Sequence, residues 1–213
     1  MATPAIKICG VTTADALDAA IEARAGYVGF NFFAPSPRYL PPRDAAALQE
    51  RAQGRIARVG VFVDADDALI GEAVAAARLD ILQLHGEETP ERAARLRARF
   101  GLPVWKVVSV AVAEDVARAA GYREAADFIL FDARTPKGTL PGGMGLAFDW
   151  SLLAGGKGPL PWGLAGGLTP GNVAEAVRAT GAPLVDTSSG VESAPGVKDL
   201  AKIAAFCRAA RGA

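Results

Sequence analysis

The sequence predicts an α/β fold, an eight-stranded parallel (β/α)8 barrel, on three observations. Short apolar runs alternate with amphipathic stretches through the 213 residues. The runs are rich in Val, Ile and Phe with little polar alternation, as strands buried on both faces require. They recur every ~20–35 residues, the repeat of a strand–helix unit. An open doubly wound sheet would place a Gly-rich turn after its first strand. Here the first turn is Cys9-Gly10-Val11-Thr12 and the glycines cluster late. The length falls slightly below the ~250 residues usual for a TIM barrel. No linker-like stretch divides the chain, so residues 1–213 are expected to form a single barrel domain.

Each unit has its own justification. Ala5–Gly10 is a strand, followed by a helix over Thr13–Ala25 with Thr13 as cap. Tyr27–Phe33 pairs with a helix over Arg43–Gln53 that Gly54 closes. Arg58–Asp64 precedes a helix over Asp67–Arg78. Ile81–His85 precedes Pro90–Phe100, where Thr89 caps and Pro90 takes the first helical position. Pro103–Val110 leads to a helix over Ala113–Ala120, and Asp127–Asp132 to a short helix near Asp149–Leu153. Pro161–Gly166 leads to Pro170–Ala179 after Thr169, and Leu184–Thr187 to a closing helix over Val197–Ala210.

Composition excludes several partners. Lys+Arg and Asp+Glu both number 23, with no basic tail or run of like charge, so no nucleic-acid partner is expected. Apolar stretches stop well short of a membrane span, and no membrane partner is expected. Met1-Ala2-Thr3-Pro4 runs straight into a strand, so no signal peptide is expected. The two cysteines, Cys9 and Cys207, make no disulfide framework, so a cytoplasmic location is the default. With a single histidine, no metal site is expected.

In a parallel barrel the strand C-termini and the loops after them build one face. Cys9, Asn31, Asp64, Gln83, His85, Asp132, Gly166, Gly167 and Asp186 to Ser189 all fall there. Free cysteines are usually small buried hydrophobes. Cys9 differs in ending its strand two residues after Lys7, whose ammonium on the same face would lower the thiol pKa. A thiolate there suits a nucleophile or a base, and the residues alone do not choose. Asp132 reads equally as a turn former or as an acid whose pKa the same-face Leu130 and Phe128 would raise. His85 is read as lining the site beside Gln83.

The last quarter reads as a phosphate cradle. Leu164-Ala165-Gly166-Gly167-Leu168-Thr169-Pro170 and Asp186-Thr187-Ser188-Ser189-Gly190 follow the seventh and eighth strands, where barrels bind phosphate. Gly166, Gly167, Ser188, Ser189 and Gly190 are the candidate contacts. In the stiff loop Ala34-Pro35-Ser36-Pro37-Arg38-Tyr39, Arg38 presents a planar fork suited to a carboxylate. The loop Gly138–Gly145 stands next to Asp132 as a lid candidate.

Over essentially its whole length the chain resembles the phosphoribosylanthranilate isomerases of tryptophan biosynthesis. The segments that carry this are Lys7-Ile8-Cys9-Gly10, Ser36-Pro37-Arg38, Val59-Gly60-Val61-Phe62, Gln83-Leu84-His85-Gly86, Phe148-Asp149-Trp150, Leu164–Leu168 and Asp186–Glu192. Met144 departs from the Gly-Gly-Thr-Gly usual in the family, which is expected to alter hydrogen bonding in that loop. The resemblance implies an Amadori rearrangement without a cofactor, on a phosphorylated small molecule. It implies Cys9 as general base, Asp132 as general acid and Arg38 at the anthranilate carboxylate. Lys7, Gln83, His85, Gly143 and Gly145 would contact substrate. A monomer is favoured over a homodimer. Two other readings are a histidine-pathway sugar-phosphate isomerase, against which Cys9 in place of a first-strand Asp argues, and a catalytically silent phosphate-binding barrel.

Overall fold

A computed structural model describes residues 3–133, 149–154 and 157–213. Eight strands close in sequence order into a parallel barrel: β1 (Ala5–Cys9), β2 (Tyr27–Asn31), β3 (Ala57–Phe62), β4 (Ile81–Leu84), β5 (Val104–Val110), β6 (Phe128–Ala133), β7 (Trp162–Leu164) and β8 (Leu184–Thr187). Closure comes from β8 pairing back to β1, with Lys7 opposite Asp186.

Alternate strand residues point inward. Ala5, Tyr27, Trp105, Phe128 and Leu184 belong to a cluster inside the barrel, where Tyr27 meets Trp105 edge-on at 5.1 Å and Trp105 stacks on Phe128 at 4.6 Å. The outward set, among them Ile6, Ile8, Val28, Phe30, Leu82, Ile129 and Phe131, packs under the helices. Both faces are therefore apolar, which is why the strands show no polar alternation.

The helices are α1 (Ala14–Glu22), α2 (Pro42–Ala52), α3 (Asp67–Ala77), α4 (Pro90–Phe100), α5 (Ala113–Ala117), α6 (Val173–Thr180) and α7 (Leu200–Arg211). Thr13 and Thr89 cap α1 and α4 by accepting from Ala16 N and Arg92 N, both at 3.3 Å. Most expected elements shift by one to three residues at an end, and three differ in the kind of structure formed. The fifth helix tightens after Ala117 into a 3-10 turn over Arg118–Tyr122. The short helix after β6 is a 3-10 turn, Trp150–Leu153. The closing helix begins at Leu200, because Asp199 is its cap and accepts from Lys202 N at 3.0 Å. Val197–Lys198 instead forms β10, antiparallel to β9 (Glu192–Ala194), with Gly196 at φ +82° turning the hairpin. Among the described residues no helix is long and apolar enough to cross a membrane.

Candidate active site

A cavity that opens to solvent sits at the C-terminal end of the barrel. Cys9, Arg38, Gln83, His85, Asp132, Gly166, Gly167, Ser188, Ser189 and Gly190 all line it, together with Asn31 and Asp186. They come from six strands and the loops after them, and only barrel closure brings them together. Gly143 and Gly145, with Met144, lie outside the described residues.

Cys9 ends β1 above a buried ion pair. Lys7 is fully buried and its Nζ donates to Asp186 Oδ2 at 2.9 Å. A Cβ on Gly29 would lie 2.8 Å from Cys9 Sγ and 3.3 Å from Lys7 Nζ, so glycine on β2 gives both groups their room. Lys7 lies beneath the cavity and does not line it. One sequence expectation is corrected: the thiol is not lowered. Burial pushes Cys9 up against the pull of Lys7, and Asp186 adds to the rise while Lys198 opposes it. The physical reason is desolvation: removing the thiolate from water costs more than the Lys7 ammonium, itself paired with Asp186, returns. Asp186 in turn helps keep Lys7 charged, holding its pKa up although burial acts to lower it.

Asp132 ends β6 on the same inward face as Leu130 and Phe128, so the expected apolar wall lies below it. Its upper neighbour is His85, whose Nε2 is 3.3 Å from Asp132 Oδ2. Gly166, at φ +85°, has no space for a side chain: a Cβ would lie 2.4 Å from Ala133 N and 2.9 Å from Asp132 Oδ1. The loop after β7 therefore abuts the carboxylate directly.

Arg38 does hold a carboxylate in its fork, but it is the protein's own. Nε and Nη2 donate to Glu192 Oε1 and Oε2 at 2.7 and 2.8 Å. The same Glu192 accepts from Lys198 Nζ at 2.6 Å, and that ammonium also donates to Ser188 O at 3.0 Å. Burial works against the Glu192 charge, yet the two cations hold its carboxyl below the usual range. Ser188 Oγ closes the chain by donating to Cys9 O at 3.1 Å. One network thus ties the arginine, the loop after β8 and the Cys9 backbone together. Sequence reasoning missed Lys198. The signal was weak: directly before Asp199, it falls inside the helix expected over Val197–Ala210.

The loops after β7 and β8 interlock. Thr187 Oγ1 donates to Leu168 O at 2.7 Å, and a Cβ on Gly190 would lie 1.9 Å from that oxygen. Asn172 Nδ2 donates to Gly167 O at 3.0 Å, fixing the turn into α6. At the cavity floor Gln83 is fully buried, and its amide N and O have no hydrogen-bond partner among the described residues; the same holds for Asp186 Oδ1. Buried polar groups normally find partners, so this floor is equipped to meet polar groups of a ligand. Among the described residues no cluster of three or more His, Cys, Asp or Glu is placed to hold a metal.

Residues 6–209 match the family described as N-(5'-phosphoribosyl)anthranilate (PRA) isomerase. The chain belongs to this family. An N-(5'-phosphoribosyl)anthranilate isomerase from Paramagnetospirillum magneticum is 59% identical over 208 residues, 97% of either chain. One from Rhodospirillum rubrum is 53% identical over 99% of both. The crystal structure of the phosphoribosyl anthranilate isomerase from Thermotoga maritima superposes with a TM-score of 0.88 at 36% identity, covering 99% of this chain and 100% of that one. A phosphoribosyl anthranilate isomerase crystallised with reduced 1-(o-carboxyphenylamino)-1-deoxyribulose 5-phosphate gives 0.85 at 35%, with the same coverage. A 3-hexulose-6-phosphate synthase, 17% identical with a TM-score of 0.67, shares the fold alone.

Proposed function

We propose that this isomerase of tryptophan biosynthesis converts N-(5'-phosphoribosyl)anthranilate to 1-(2-carboxyphenylamino)-1-deoxyribulose 5-phosphate, with Asp132 as acid and Cys9 as base. The observation that carries the assignment is that Asp132 and Cys9 line one cavity with the interlocked small-residue loops after β7 and β8. Those loops, through Gly166, Gly167, Ser188, Ser189 and Gly190, take the phosphate. Arg38 faces the anthranilate carboxylate while Glu192 holds its guanidinium in place. Gln83 meets the sugar hydroxyls, and His85 stands by Asp132.

The proton transfers then follow an order. Asp132 gives its proton to the ribose ring oxygen, the C1–O bond breaks, and the nitrogen lone pair forms a protonated Schiff base. Cys9 removes the proton from C2, and the electron pair moves to the iminium to give the enolamine. Tautomerisation of the enol to the ketone, with a proton added at C1, completes an internal redox needing no cofactor. A thiol held up by burial is protonated at rest. The cationic iminium arriving beside it favours the thiolate, so base strength develops after ring opening.

Loss of substrate fluorescence on adding the protein to freshly made phosphoribosylanthranilate tests the reading. Rapid loss is expected. No loss, together with turnover of the histidine-pathway aminoaldose substrate, would sink it in favour of the sister isomerase.

Cytoplasmic residence is supported by the free thiols Cys9 and Cys207. A monomer is supported by the large exposed apolar side chains among the described residues, which are only Val112, Val197 and Leu200. Obligate interfaces need a broader apolar patch. Sedimentation is expected to give the mass of one chain, and a stable two-chain species would overturn this.

A further inference from the structure

One buried cation in the barrel wall touches no part of the cavity. Lys106 follows Trp105 on β5, so its side chain leaves the inward face, and it is 3% exposed. Its Nζ donates to Gly86 O at 2.6 Å and to Glu88 Oε2 at 2.8 Å, with a longer contact of 3.4 Å to Leu84 O. Glu88 is also buried, and its two oxygens accept from Asp64 N and Gly86 N, each at 2.9 Å. The Tyr122 hydroxyl donates to Glu88 O at 2.7 Å.

The two carbonyls under Lys106 are those immediately before and after His85. The His85 N–H itself donates to Phe62 O at 2.8 Å. The Glu87 N–H donates to Asp64 Oδ1 at 2.8 Å, so the backbone carrying the imidazole is held at each residue from 84 to 88. The ring this segment carries is the one in contact with Asp132.

We propose that the Lys106–Glu88 pair is a positioning device for His85, holding its ring against Asp132 in the isomerisation; this rests on Asp132 being the acid. A buried ion pair is an expensive way to stabilise a loop, since desolvation offsets most of its attraction. A turn such as Gly86-Glu87 needs only ordinary turn chemistry. What the pair adds is fixed geometry, because an ammonium and a carboxylate, both fully desolvated, tolerate little displacement of the groups they bind. The positions fixed are those on which the ring orientation depends.

The test uses Lys106→Met and Glu88→Gln, with Lys106→Met/Glu88→Gln as the variant that leaves no unpaired buried charge if either single change fails to fold. Two readouts separate positioning from plain stability. The first is the imidazole Cε1–H resonance, a single signal because the chain has one histidine. The second is kcat against KM. Misplacing a group by ~1 Å costs up to about 100-fold in rate. The expected result is a fall in kcat of about 10- to 100-fold with KM little changed and a shifted or broadened imidazole signal. An unmoved signal with unchanged kcat, even at lowered thermal stability, would overturn the proposal and leave the acid assignment standing. Failure of that assignment reads out separately, as full activity in Asp132→Asn.

Discussion

Replacing Cys9 with alanine is expected to lower turnover by about 10²–10⁴-fold, the usual contribution of a positioned general base. The fold should survive, because Cys9 is a small side chain at the end of β1 with some exposure to the cavity. Cys9→Ser should be no better, since a hydroxyl lacks the acidity to form an anion beside Lys7. Fluorescence decay of phosphoribosylanthranilate under saturating protein measures both. Full activity in Cys9→Ala would remove the thiol from the mechanism. The parent also makes a pH prediction with a definite sign. A base must be deprotonated, so the rate rises with pH through the thiol pKa. In the free protein that pKa is raised by burial and Asp186 against the pull of Lys7 and Lys198. The limb in kcat/KM, which reports the free protein, should therefore lie above the ordinary thiol value of ~8.5. The limb in kcat should lie lower, because the iminium of the bound intermediate stabilises the thiolate. Coincident limbs at or below the ordinary value would contradict this account.

Asp132→Asn is expected to lose about 10²–10⁴-fold in turnover for the complementary reason. An amide keeps the size of the side chain and its place between His85 and the loop after β7. It has no acidic proton for the ring oxygen, so ring opening stalls before Cys9 has a substrate. Binding of the reduced product analogue should be retained within a few-fold, since Gly167, Ser188 and Arg38 are untouched. Calorimetric titration checks that arm. A variant that turns over normally sinks the acid assignment, whereas one that loses both turnover and analogue binding points to a positioning role for the carboxylate.

The residues that sequence reasoning placed well are those whose location follows from local rules. Cys9, His85 and Asp132 were found because each ends an apolar run, and in a parallel barrel every such end opens on the same face. Gly166, Gly167 and Gly190 reach the same cavity because they follow the last two strands. The structure adds that Gly166 and Gly190 are also compelled by close backbone approach. The expectation of a lowered thiol fails because it weighs Lys7, two residues along the strand, and not the burial that closure imposes. The carboxylates that meet Lys7 and Arg38 inside the protein lie far off in the chain.

The eight strand–helix units, the burial of both strand faces and the polar groups at the strand ends are all legible in the chain before it folds. Those follow from periodicity, caps and turn residues, all of which act over a few residues. Only the tertiary structure decided which charges meet. Lys7 and Asp186 are 179 positions apart, and Arg38 and Glu192 are 154 apart. Each pair forms only when β8 closes against β1 and the β9–β10 hairpin folds over the loop after β2. His85 meets Asp132, and Lys106 meets Glu88, through the register of parallel neighbours and the width of the barrel. Barrel closure buries the Cys9 thiol, and that desolvation outweighs the pull of its chain neighbour Lys7; closure likewise brings Glu192 to the Arg38 fork, where attraction at a few ångströms sets its aim.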